Sequence, residues 1–347
     1  MREPAAEHRS QARGCDTPLV IAKLFNVIFY GGYGIFYFYC GLLLRWRGVP
    51  SSLIGTVLAV RPVVGTLVTP LWTALADASG RHQSLHMCSL VVGSVSRLLY
   101  VAVPATAAPL LAAAVVSEVL TCSMTPLGDT AIVEGLKRLG RPSEDYARQR
   151  LWGAVGAGWI FVPACGALLR GRSHAASWAI ALGMHIGPCV LSACIAPWLW
   201  RIGGSRERPP APGRTAAAEA AAAAEVVPAP AAAAAAERGW AAAVGRLRSV
   251  RPSWRGAVRC VLFFWCGCFH AATEGFLFLY LDELGASTLL EGVSILCTCL
   301  SEVAVMAVAQ RVLSRLGLDG CLALIFAWCR AAARTPPDQP PDQRWRA

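Results

Sequence analysis

Charge is what this sequence has least of. Asp, Glu, Lys and Arg make up 15% of its 347 residues, against roughly 25% in an ordinary soluble domain. So few charges cannot cover a water-facing surface, which excludes a soluble fold for most of the chain. Paired-cysteine metal motifs are missing as well. The 14 cysteines are scattered, most of them inside apolar runs as at Cys40, Cys122, Cys165 and Cys194. The nearest pairs, CGC at Cys266 and Cys268 and CTC at Cys297 and Cys299, lack the spacing of a zinc ligand pair, so no metal is expected and the cysteines read as small apolar filler. There is no Gly-x-Ser-x-Gly elbow, no His-Glu-x-x-His and no Walker A string. The chain therefore offers neither a hydrolytic centre nor an ATPase, and neither an enzyme nor a cofactor is expected. A cleavable signal peptide is not apparent either. Residues 1–18 are polar and carry both signs of charge, and the apolar stretch that follows is too long for a signal core, so the first span is expected to be retained.

What the chain has in quantity is long apolar runs. Hydrophobic residues make up 55% of it and the mean hydropathy is +0.48. Candidate spans run over 19–44, 52–76, 85–103, 105–126, 151–169 and 176–200, then over 257–281 and 289–313, with a short ninth stretch over 318–333. About 20 apolar residues suffice to cross a bilayer as a helix, and only helices and closed barrels satisfy their own backbone in hydrocarbon. The expected fold is all-α, a polytopic bundle of membrane helices.

The formal net charge of +11 raises the question of a nucleic-acid partner. The basic residues, however, lie in short blocks between apolar runs, which fits the positive-inside bias and not a basic binding arm. With the N-terminus inside, the inner connections hold Arg81, then Lys137, Arg138, Arg141, Arg148 and Arg150, then a basic linker, then Arg311 and Arg315. The outer connections hold Arg45 and Arg47, then none, then Arg170 and Arg172, then only Asp282 and Glu283. The asymmetry places the N-terminus in the cytoplasm. The chain is expected to be an integral multi-pass protein with the lipid bilayer as its first partner and no nucleic acid, in a plasma or internal membrane.

Residues 201–256 are rich in alanine and proline and read as a flexible cytoplasmic linker between six spans and a remainder. The expected organisation is a cytoplasmic tail over 1–18, a six-helix half over 19–200, that linker, a partial second half over 257–333 and a polar tail over 334–347. An internal repeat supports the division. GIFYFY, beginning at Gly34, has a counterpart in GFLFLY, beginning at Gly275, and GVPSSLIG, beginning at Gly48, has one in GASTLLEG, beginning at Gly285. Two parallel repeats would relate the first hairpin of spans to the seventh and eighth in this way.

Charged groups inside apolar runs are the candidates for function. Arg61, Arg97 and Glu118 lie in spans two, three and four, and His270, Glu274 and Glu302 in spans seven and eight. A charge at mid-bilayer costs roughly 2.5–3.5 kcal/mol even on translocon scales, so such residues turn toward a bundle interior or an aqueous path. Bases in one half facing acids in the other would lock one access state, with Glu274 or Glu302 as a proton-coupling acid and His270 as its tunable neighbour. Each also has a purely structural reading as a fixed pair. Tyr30, Tyr33 and Tyr37 form a stripe at helical spacing near Asn26, suited to packing or to an aromatic or sugar-like solute.

One loop carries a resemblance. TALADASGRH, Thr73 to His82, resembles the segment that joins the second and third spans of major facilitator superfamily transporters, with Leu75, Ala76, Asp77, Gly80 and Arg81 matching. Thr73 stands in place of a glycine, Ala78 of a basic residue and His82 of the last arginine. The resemblance implies a gating role for Asp77, Gly80 and Arg81. PLGDTAIVEGL from Pro126, YARQRLWGAVGAGW from Tyr146 and the run from Phe276 to Glu302 resemble a narrower branch. It comprises domain-containing-protein-6, nucleoside/proton symporter and lactose-permease-like transporters, and Asp129, Arg148, Arg150, Trp152, Gly153 and Glu302 carry the match.

The family has twelve spans, and RAAARTPPDQPPDQRWRA adds no apolar run, so a C-terminally truncated second half is the expectation. The resemblance implies secondary transport of an unidentified small solute by alternating access, with protons as a candidate coupling ion. The alternatives are a membrane receptor or interaction protein on the same scaffold, or an inactive truncated product. Residues 145–150 are expected to form a cytoplasmic loop, Trp152 to sit at the membrane interface, and Gly153 and Ala157 to present a small face for close helix packing.

Overall fold

The computed structural model describes residues 17–142, 145–203 and 253–334. Among these residues there is no strand, and eight helical stretches are long and apolar enough to cross a membrane. They are span one, Leu19–Trp46; two, Ser51–Ser79; three, His82–Ala102; four, Ala107–Arg138; five, Asp145–Leu169; six, His174–Ile202; seven, Gly256–Glu283; and eight, Thr288–Met306. The tail over 1–16, the linker over 204–252 and the tail over 335–347 lie outside the described residues.

Three expectations need correction. Residues 145–150 are not a loop: the helix of span five begins at Asp145, because Arg148 and Arg141 pair with Asp145 in its first turn at 3.4 and 3.8 Å. Span four runs on through Asp129 to Arg138, so that residue is also helical. The ninth stretch is not among the eight spans. It continues the helix Thr288–Arg334 past Gly317, whose φ of 66° and ψ of 175° are non-helical. The residues from Ser301 onward form a second compact unit.

Span one is the axis of the first unit. Phe25, Phe29, Phe36, Tyr39 and Leu43 on it are buried, and spans five and six close on it. His185 of span six meets the Gly32 carbonyl at 2.9 Å, and the Asn26 amide donates to the Gln149 carbonyl of span five at 3.1 Å. Between lipid-facing helices tight packing replaces the hydrophobic effect as the driving force, which favours small residues at the contact. The expected pair Gly153 and Ala157 lies in this seam, against Tyr30 and Gly34 respectively, but the closest approach belongs to Gly156. A methyl there would collide with the carbonyl of Val27. The backbone widens into a π-helix over Val155–Phe161, which brings Gly156 onto the seam beside Ala157.

The repeat is visible in the backbone. Gly48 and Gly285 both have φ of 79°, in the left-handed region that suits glycine at a helix end. Gly48 donates to the Arg45 carbonyl and Val49 to that of Leu44, at 2.9 and 3.1 Å; Gly285 donates to Asp282 and Ala286 to Leu281, at 3.0 and 2.9 Å. This shared turn aligns Arg45 with Asp282, Ile54 with Glu291 and Gly55 with Gly292. GIFYFY and GFLFLY are therefore four residues out of register; the turn aligns Tyr39 with Phe276 and Tyr37 with Glu274. Aligned positions also meet in space: Arg45 reaches Asp282 at 3.3 Å, and Tyr37 lies beside Glu274. Residues on a twofold axis meet their own counterparts in this way.

Candidate functional site

Three of the charged residues found in apolar runs converge. Glu118 Oε2 accepts from Arg61 Nε at 3.3 Å and from the Arg97 guanidinium at 3.1 Å. Arg97 is only 1% exposed, and it also donates to Ser117 Oγ at 2.9 Å and Thr121 Oγ1 at 2.7 Å. Both guanidiniums lie over the Phe36 ring, with centroid distances of 5.5 Å for Arg61 and 4.8 Å for Arg97. The second acceptor of the pair, Glu118 Oε1, is turned toward Gly65.

That oxygen borders a cavity of about 530 Å³. Its walls are two helix stripes of matching spacing, Pro62, Gly65, Thr66, Thr69 and Pro70 on span two and Glu118, Thr121, Cys122, Thr125 and Pro126 on span four, with Tyr33 of span one between them. Recurrence at three and four residues puts each stripe on one helix face. Three of the wall hydroxyls give their protons to the backbone: Thr66 to Pro62 at 2.8 Å, Thr69 to Cys122 at 3.4 Å and Thr121 to Ser117 at 2.8 Å. The lone pairs of Thr66 and Thr69, with Glu118 Oε1, offer acceptors to the cavity.

Elsewhere the placement differs from expectation. The bases of the first half do not wait for acids of the second, since Glu118 holds both. Glu274 pairs with His270 at 3.3 Å, one turn away on the same helix, and Glu302 is exposed on its helix. Two of the four basic residues that run against the charge asymmetry, Arg45 and Arg47, have a structural task at the hairpin end. Arg45 reaches Asp282 at 3.3 Å, Glu283 at 3.1 Å and the Leu279 carbonyl at 3.3 Å. Arg47 donates to the carbonyls of Tyr100 and Val103 that end span three. Sequence reasoning also passed over Glu291, which is 0% exposed with no hydrogen-bond partner at either carboxyl oxygen. Its signal was available: it is the one position in GASTLLEG where a charge replaces the isoleucine of GVPSSLIG.

A bundle of apolar helices with a buried cluster of three charges beside a cavity is the architecture of an integral membrane protein, and comparison supplies its relationship. The model of the MFS_1 like family matches residues 19–334. The chain belongs to that family. It is a major facilitator superfamily protein, an integral multi-pass membrane protein whose relationship points to a transporter and not to an enzyme. No curated protein and no solved structure matches it.

The facilitator loop between spans two and three has a partner where the family pattern is broken. Asp77 ends its helix with a side chain 69% exposed, and His82 Nε2 meets its Oδ1 at 2.9 Å; the residue standing in for an arginine is the one that contacts the aspartate. Gly80 caps the helix with φ of 67° and donates to Ala76, and Arg81 precedes the next helix. The positions that carry the narrower resemblance fall on helices. Tyr30 donates to Asp129 at 3.4 Å, Arg150 stacks on Tyr30 at 3.5 Å and Tyr146 lies against both charged groups. Arg148 is exposed beside Asp145.

Proposed function

We propose that this facilitator carries a small solute by alternating access, and that the solute binds in the cavity between spans two and four. The observation that carries this reading is the division of labour within one carboxylate. Two buried arginines hold Glu118 Oε2, which fixes the direction of Oε1 into the cavity. A charge held in this way is preorganised and loses little freedom when a solute docks. The acceptors Glu118 Oε1, Thr66 and Thr69 suit a solute that offers hydrogen-bond donors, with the Tyr33 ring as its apolar contact. The arginines sit behind Glu118 and do not line the cavity, so an anion would meet acceptors.

In this state spans one and seven are tied together at the hairpin end by Arg45, Asp282 and Glu283, and Tyr39 donates to the Thr288 carbonyl at 3.5 Å. We assign this as the state closed at that end. The distribution of basic residues supports a cytoplasmic position for the other end, with the N-terminus. Glu274, beside Tyr37, and its partner His270 are the candidates for carrying a coupling proton.

Uptake by proteoliposomes tests the reading. A panel of labelled hexoses, nucleosides, amino acids, monocarboxylates and quaternary amines is offered with and without an imposed pH gradient. Accumulation of a donor-bearing neutral solute, reduced several-fold by Thr69→Val, is expected. Saturable uptake confined to monocarboxylates, or no uptake of any of them by well-folded protein, overturns it.

A further inference from the structure

Glu291 stands in the first turn of the helix of span eight, and its carboxyl is wholly enclosed where spans one, five and eight touch. Thr288, one turn away, donates to the Gly166 carbonyl of span five at 2.8 Å. A methyl on neighbouring Gly292 would stand 2.9 Å from the backbone of Pro163 and 3.1 Å from the Tyr39 hydroxyl. The aligned position of the first hairpin is Ile54, and both side chains are 0% exposed. The enclosure therefore suits an uncharged group, and the second hairpin has put an acid into it. A carboxylate enclosed without a hydrogen-bond partner costs far more than the neutral acid.

We propose that Glu291 is a proton-binding site that governs closure of the hairpin end: the end closes over the protonated acid and opens as the acid gives its proton to water. This rests on the alternating-access reading above. The step is a simple proton transfer, with no bond other than O–H formed or broken. The titratable and charged groups at this end of the packed elements are Tyr39, Cys40 and Arg45 of span one with Arg47 just beyond it, Cys165 of span five with Arg170 and Arg172 just beyond it, and Asp282 and Glu283 of span seven. Arg45 is committed to the two acids of span seven, and Tyr39 gives its proton to the carbonyls of Val162 and Thr288. None of them supplies Glu291 with a cation. Because the closed end holds a proton that the open end releases, closure is favoured at low pH and lost as pH rises.

Amide hydrogen exchange of the full-length protein in phosphatidylcholine–phosphatidylglycerol vesicles tests this without any solute. Protection at Gly48–Ile54 and Gly285–Glu291, corrected for intrinsic exchange, is expected to fall about tenfold or more from acidic to alkaline pH, as the closing equilibrium follows the bound proton. Glu291→Gln and Glu291→Ile are expected to stay protected throughout. Infrared titration of the wild type should show a protonated-carboxyl band disappearing over the same pH interval. The proposal is overturned if protection in the wild type ignores pH, if both variants keep the wild-type profile, or if Asp282→Asn removes the pH dependence while Glu291→Gln does not. Should neither variant fold, absence of the infrared band in the wild type overturns it and its presence supports it. A protein that switches but moves no solute loses the transport reading alone; one that transports, and whose Glu291→Gln variant keeps the wild-type exchange profile, loses only Glu291.

Discussion

The first hairpin, spans one and two, and the second, spans seven and eight, share a turn down to its hydrogen bonds and differ in the charges placed on it. Arg45 stands against Asp282, and Ile54 against Glu291. The shared part is backbone: a left-handed glycine and two carbonyls that need donors fix the turn whatever the side chains are. The different part is chemistry, which the turn leaves free. The first half settles its buried charges internally, with Arg61, Arg97 and Glu118 in one knot, whereas the second leaves a buried carboxyl without a partner. One geometry thus serves a fixed half and a responsive one.

That contrast can be broken most severely at the knot. Glu118→Ala leaves two guanidiniums buried without their carboxylate, and loss of one member of a buried ion pair costs about 3–5 kcal/mol. Collapse of the monodisperse folded fraction in detergent is the expected outcome. A midpoint of thermal unfolding within a degree or two of wild type would mean that the knot is ornamental. Gly156→Val places a methyl on the Val27 carbonyl in the seam of spans one and five. Overpacking of this kind costs roughly 1–3 kcal/mol, visible as a lower thermal midpoint.

Glu291→Ile erases the difference between the hairpins by giving the second the residue of the first. Removing an unsatisfied buried polar group is expected to gain about 1–2 kcal/mol, so this variant should melt later than wild type; earlier melting would mean that the carboxyl has a structural partner. The smallest effect sharpens the alignment itself. Arg45→Asp and Asp282→Arg should each cost about 0.5–1 kcal/mol, as befits a partly exposed pair, and the double exchange should recover most of the loss. Additive losses in the double variant would separate the two positions.

The spans were legible because a run of about 20 apolar residues has few other uses. Their ends were not: Asp145–Arg150 is charged and reads as a loop, yet membrane helices continue past the hydrocarbon, and pairing within its first turn keeps this one wound. Arg61, Arg97 and Glu118 were each legible as costly in lipid. Their meeting was not, since Arg61 and Arg97 lie 57 and 21 residues from Glu118 and only tertiary packing brings them together. Glu291 escaped notice because it stands at the mouth of an apolar run, where an acid passes for an interfacial residue. Half of the repeat was read in register, GVPSSLIG on GASTLLEG, and half was not, GIFYFY on GFLFLY, since matching aromatic letters weighs side chains while the glycine turn fixes the register.

The meeting of Arg45 with Asp282 bears on symmetry. Were the two hairpins identical, a residue on the twofold axis between them would face its own copy, so arginine would oppose arginine and aspartate aspartate. Exact symmetry therefore forbids an ion pair at that point. The salt bridge at the hairpin end is fastened by the one thing the shared turn does not supply, the inequality of the two halves.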